Sequence, residues 1–235
     1  MTRPGPENDL RWLGDEVRRF VTVLRQDPHG AAVEHCPGWT LTDLALHLGQ
    51  VHRWAEVAAR DGHGRHQPPA GPREPAALAD WYEQGARSLI STLRELDPDT
   101  PCWTFAPPPV TGFWRRRQAL ETVVHRWDAE RCAGRPSPID PWLASDGVDE
   151  VVGTLFPRQV ERGRTTQPEV AVRLVASDTG HAWTLGSGPV AGDVSGTAEP
   201  LLLLLWRRTT LDDPALTVSG DVTAVRAALD RPLTP

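Results

Sequence analysis

The chain has 235 residues, 39% hydrophobic and 24% charged, with a formal net charge of −6. That is length for one large domain or two small ones. The longest apolar run, Leu201–Trp206, is far short of the roughly 18 residues of a membrane span, and the acidic balance argues against nucleic acid as the main partner. The opening MTRPGPENDL has no apolar signal region, and the three scattered cysteines (Cys36, Cys102, Cys132) form neither a disulfide framework nor a CxxC site, so the expected location is cytoplasmic.

Four helices are expected before residue 135. The first runs from about Asn8 to Gln26, with Leu10, Leu13, Val17, Phe20, Val21 and Leu24 at helical spacing and Pro28-His29-Gly30 as its stop. The second starts at Thr40, where Thr40-x-x-Asp43 reads as a capping box, and continues to about Arg60. A Gly- and Pro-rich loop over 61–75 leads to a third helix at about Pro75–Leu96. After an irregular stretch over 97–110, a fourth covers about Gly112–Ala133 and stops at Gly134 and Pro136. These elements predict an up-and-down four-helix bundle over 1–138, a scaffold whose core commonly holds metal sites.

Beyond residue 138 the pattern predicts a small α+β domain over 139–235. SDGVDEVVGTLFPR reads as a short helix from Ser145. EVAVRLVASD and HAWTLGSG alternate as strands about a turn near Asp178–Gly180, and ALTVSGD is a further strand. The apolar AEPLLLLLWRR helix and a last helix over about 221–230 complete it.

The fourth helix carries LETVVHRWDAE. At 100° per residue from Phe113, Leu120, Val123, Val124 and Trp127 fall between about 280° and 20°, while Glu121, His125 and Asp128 fall at about 60–120°, bordering the apolar stripe. Glu121 and His125, four apart, can reach one ion, as a zinc-type site of histidine and carboxylate requires, or can form a half-buried hydrogen-bonded pair. A third ligand has to come from another helix. The second helix offers His47 and His52, about 140° apart, and periodicity does not choose between them. No Ser-His-Asp elbow or phosphate-binding loop competes with this constellation.

CPGWTLTDLALHLGQVHRWA (36–55), CWTF (102–105) and FWRRRQALETVVHRWDAE (113–130) resemble the mycothiol-dependent maleylpyruvate isomerase family, whose N-terminal domain is a DinB-like four-helix bundle. DGVDEVV, LLLLLWRRTT and LTVSGD are similar to its smaller, sterol-carrier-like C-terminal domain. The resemblance implies His47, Glu121 and His125 as ligands of a divalent metal, zinc first with nickel or iron as alternatives. It also implies mycothiol, the low-molecular-weight thiol of actinobacteria, as cosubstrate. Asp128 is then expected to orient a ligand, His52 to border the thiol pocket or to pack, and Trp54 to border that pocket. The family's Leu-rich helix usually ends in Gly-Arg. Here Trp206-Arg207-Arg208 places Arg208 in the arginine position, for an anionic electrophile, and Arg207 where glycine is usual.

The function so implied is a metal-dependent isomerase or S-transferase. Thiolate adds to a small, carboxylate-bearing electrophile; bond rotation and elimination complete an isomerisation, whereas release of the adduct completes a transfer. The expected partners are mycothiol and the electrophile, with no membrane and no nucleic acid, on a monomer or weak homodimer. A metal hydrolase, a non-haem iron enzyme and a non-catalytic metal- and ligand-binding protein are the alternatives.

Overall fold

The computed structural model describes residues 5–26 and 29–235; the first four residues and Pro28, part of the expected helix stop, lie outside the described residues. The chain divides into two compact units that meet in sequence between Ser137 and Pro138. The first consists of α1 (Pro6–Gln26), α2 (Leu41–Asp61), α3 (Pro75–Glu95) and α4 (Thr111–Cys132). α1 packs on α4 and α3, and α2 packs on the same two, so consecutive helices α1 and α2 stand across the bundle from each other.

Local chemistry sets the helix ends. Thr40 and Asp43 form the capping box, each side chain accepting the other's backbone N–H, and Gly62 closes α2 in the left-handed conformation. Glu74 caps α3 by accepting from the backbone N–H groups of Ala76 and Ala77. α4 is buried nearly all round. Beyond the apolar stripe, its buried residues include Arg115, Arg117, Gln118, Thr122, Arg126 and Glu130. Arg126, fully buried, donates to Glu16 on α1 and to Glu130 one turn on, which fixes α1 against α4.

In the second unit, α5 (Pro141–Glu150) begins earlier than the expected Ser145, because Asp140 caps it and Pro141 takes the first turn. It runs through a π-helical segment, Val151–Leu155, into α6 (Phe156–Glu161). Pro157 has no N–H to donate, and the hydrogen-bond ladder changes register just ahead of it. Strands β1 (Ala171–Ala176), β2 (Ala182–Leu185), β3 (Val190–Gly196) and β4 (Thr217–Gly220) form one sheet in the order β2-β1-β3-β4. The β1–β2 and β3–β4 pairs are antiparallel, and β1–β3 is parallel. α7 (Ala198–Leu205) and α8 (Val222–Leu229) pack on β1 and β3.

The expected strands are found, but β3 is an addition, and glycine explains why. The link from β2 to β3 passes the start of β1 so closely that a Cβ on Gly188 would lie 2.0 Å from the Glu169 carbonyl oxygen. In β3 itself, a Cβ on Gly192 would lie 2.0 Å from the Ser219 carbonyl oxygen of β4. The residues that let the strand pair are the ones that erase its apolar alternation.

Candidate metal centre

α2 and α4 pack along the faces that carry the polar residues of interest. His47 Nε2 and His125 Nε2 each lie 3.3 Å from the same oxygen, Oε1 of Glu121. The two imidazoles meet edge to face, with ring centroids 5.2 Å apart. The side chain of His47 is 35% exposed, that of Glu121 13% and that of His125 8%, so the group opens to solvent on the α2 side. Trp39, at the approach to α2, places its ring 4.9 Å from that of His47.

The surroundings fix each member. Asp128, buried one turn beyond His125, has Oδ2 3.2 Å from His125 Nδ1. Donation of Nδ1–H to that carboxylate leaves Nε2 with its lone pair facing Glu121. Cys36 Sγ lies 3.8 Å from the same Asp128 oxygen, so Cys36, His125 and Asp128 form a second convergent group that shares the imidazole through its other nitrogen. Arg117, one turn before Glu121 and itself buried, donates to Glu121 Oε2, leaving Oε1 to face the histidines. Burial, and after it the nearby His125 and Arg117, push the His47 pKa down to about 4, so its imidazole is neutral at pH 7.

The arrangement fits a divalent cation. One ligand atom from each of His47, Glu121 and His125 lies within 4.8 Å of the others. A lone-pair nitrogen of His125 facing a carboxylate oxygen is an acceptor set against an acceptor, and an ion between them satisfies both. Nitrogen and oxygen donors suit zinc and also iron or nickel.

The structure brings three of the seven candidate residues together and Asp128 against one of them. His52, expected at the pocket edge or in packing, is packed: it is fully buried, with Nε2 3.0 Å from the Thr122 hydroxyl and its ring 5.4 Å from that of Tyr82. The α2 face carrying His52 turns into the bundle core, which a two-sided apolar stripe leaves undecided. Trp54 donates Nε1–H to the Gly64 carbonyl and packs edge-on against Trp103 and Trp114. Arg208 belongs to the second unit, where it follows α7 and donates to the Trp206 carbonyl. Arg117 and Cys36 were not singled out as part of the site. The i,i+4 spacing of Arg117 and Glu121 was the available signal for the first.

A family model described as the mycothiol maleylpyruvate isomerase N-terminal domain matches residues 10–130, and one for the C-terminal domain of the same family matches residues 143–227. Uncharacterized proteins from two strains of Mycobacterium tuberculosis are each 26% identical over 240 residues, covering 94% of this chain and 92% of the relative. Among solved structures, a mycothiol-dependent maleylpyruvate isomerase is similar in fold, with a TM-score of 0.68 at 16% identity. A histidine-to-alanine mutant of a mycothiol-dependent maleylpyruvate isomerase gives 0.70 at 15%; each match covers 94% of this chain and 98% of the other.

Proposed function

The chain belongs to the mycothiol maleylpyruvate isomerase family, and from that premise we propose that it is a metal-dependent enzyme using mycothiol to isomerise, or to be transferred to, a small carboxylate-bearing electrophile. The observation that carries this reading is the convergence of His47, Glu121 and His125 on one point, with one imidazole held neutral and the other oriented by a buried carboxylate. A divalent ion held by these three would act as a Lewis acid that brings the pKa of a thiol down toward neutrality.

The protein's own part is to present and hold that set. Asp128 fixes the tautomer and rotation of His125, so Nε2 needs no reorganisation to bind. Arg117 holds the far oxygen of Glu121 and turns the near one toward the histidines. Half-exposed His47 leaves an approach for the thiol. Arg208 is assigned the substrate carboxylate, a charge-assisted contact that leaves the metal ligands unencumbered.

A direct test is turnover of a cis-configured α,β-unsaturated dicarboxylate with mycothiol present, absent, or replaced by its S-methyl ether. Activity only with the free thiol supports the reading. Turnover of an ester or amide without thiol would instead assign a metal hydrolase, and oxygen consumption with iron would assign an oxygenase.

A further inference from the structure

The bundle unit holds a second concavity, beyond the end of α2, that the proposed chemistry does not use. His63, Gly64 and Arg65, just past the α2 cap, and Trp103, in the stretch leading to α4, line a pocket of about 520 Å³. That is room for a small organic molecule.

Two further indoles hold the walls in place. Trp54 donates Nε1–H to the Gly64 carbonyl at 3.0 Å, and Trp114 donates Nε1–H to the Trp103 carbonyl at 2.9 Å. Trp54 meets Trp103 and Trp114 edge-on at 5.6 and 5.0 Å, and Trp103 stacks on Trp114 at 6.1 Å. A Cβ on Gly64 would lie 2.4 Å from the Trp103 ring, so only glycine lets the loop close against that indole. The walls are therefore formed before any ligand arrives, which lowers the ordering cost of binding. Trp54 follows His47, and Trp114 precedes Glu121, by seven residues, or about 10 Å along each helix, so the pocket stands apart from the proposed ligand set.

The lining has two chemical halves. Trp103, 37% exposed, is the one exposed aromatic side chain among the described residues. Arg65 is exposed and has no carboxylate partner among the described residues; Asp61, the nearest acid in sequence, pairs with Arg60 at 3.0 Å. No carboxylate lines the pocket, in a chain of net charge −6.

We propose that this pocket binds an aromatic carboxylate. Its ring packs on the exposed part of the Trp103 indole, and the forked guanidinium of Arg65 donates to both carboxylate oxygens. A neutral ring gains the indole contact and leaves the guanidinium unused. A carboxylate without a ring gains only an exposed ion pair, which contributes little by itself. A phosphate monoester carries close to two negative charges where the lining holds one permanent cation.

The test is calorimetric titration of the full-length protein, freed of metal by a chelator, with 2-naphthoate. The controls are 2-naphthylmethanol, cyclohexanecarboxylate and 2-naphthyl phosphate. We expect saturable one-site binding of naphthoate and weaker binding of all three controls. Arg65→Gln, at an exposed loop position, should weaken naphthoate by about tenfold. Trp103→Ala should weaken it by about fivefold or more, and the far-ultraviolet circular dichroism should be unchanged in both variants. No saturable binding of naphthoate up to about ten millimolar overturns the proposal. So does full naphthoate affinity in both variants, equal binding of either uncharged or ring-free control, or tighter binding of the phosphate. The readout needs neither metal nor thiol, so it is decided independently of the activity proposed for the bundle.

Discussion

Glu121 is pulled from both ends: Arg117 holds one oxygen and two imidazoles face the other. Its spacing to His125 and its place beside the apolar stripe were legible in the sequence, because both follow from helical period alone. The buried Arg117 was not, since a charge at that position reads as solvated until its partner is known. Nor was the depth of His52, which depends on how α2 is rotated about its axis. Burial pushes the His52 pKa down to about 3, with Arg53 next in effect. With the folded pKa depressed, the unfolded chain binds the extra proton below about pH 6.5, and stability falls as pH drops from there toward 3. Between pH 7 and pH 5, metal-free wild type should therefore lose up to about 2 kcal/mol more than His52→Asn in urea unfolding. Equal losses would place the titrating group elsewhere. At Arg208, loss of a charge-assisted contact to substrate predicts that Arg208→Ala raises KM for a carboxylate electrophile by about one to two orders of magnitude with metal content unchanged. Unchanged kinetics would remove Arg208 from substrate recognition.

The end of α7 accounts for the backbone at Arg207. α7 terminates with Arg208 N–H donating to the Leu203 carbonyl and Arg207 N–H to that of Leu204, the paired bonds of a Schellman motif. Arg207 occupies its left-handed position at φ 57°, where glycine is at ease and an L side chain is strained. Its guanidinium donates to the Asp230 carbonyl just beyond α8, so Arg207 ties two helix ends together. Arg207→Gly should relieve the strain and stabilise the protein by about 0.5–1 kcal/mol in urea unfolding, with KM unaltered. Destabilisation would mean that the Asp230 contact outweighs the strain. Among the elements, the long helices were legible from period and caps, down to the Thr40–Asp43 box. β3 was not, because Gly192 serves a backbone contact that only the folded sheet reveals.

Across the whole molecule, the three proposed ligands lie in the first unit and Arg208 in the second. A chain ending near residue 138 should therefore keep its metal and its helical signal while losing most thiol-dependent turnover. Metal loss from a still-helical fragment would mean that the bundle alone does not make the site. The pattern changes from long helices to alternating strands after the prolines at 136 and 138. What the ligands hold is tested most directly by elemental analysis of the full-length protein, reconstituted with zinc and then dialysed. The account predicts about one zinc per chain in wild type and in His52→Ala, and strong depletion in His47→Ala, Glu121→Ala and His125→Ala with helical content retained. A wild-type protein that retains no divalent ion, or a His47→Ala protein that retains it in full, would contradict it.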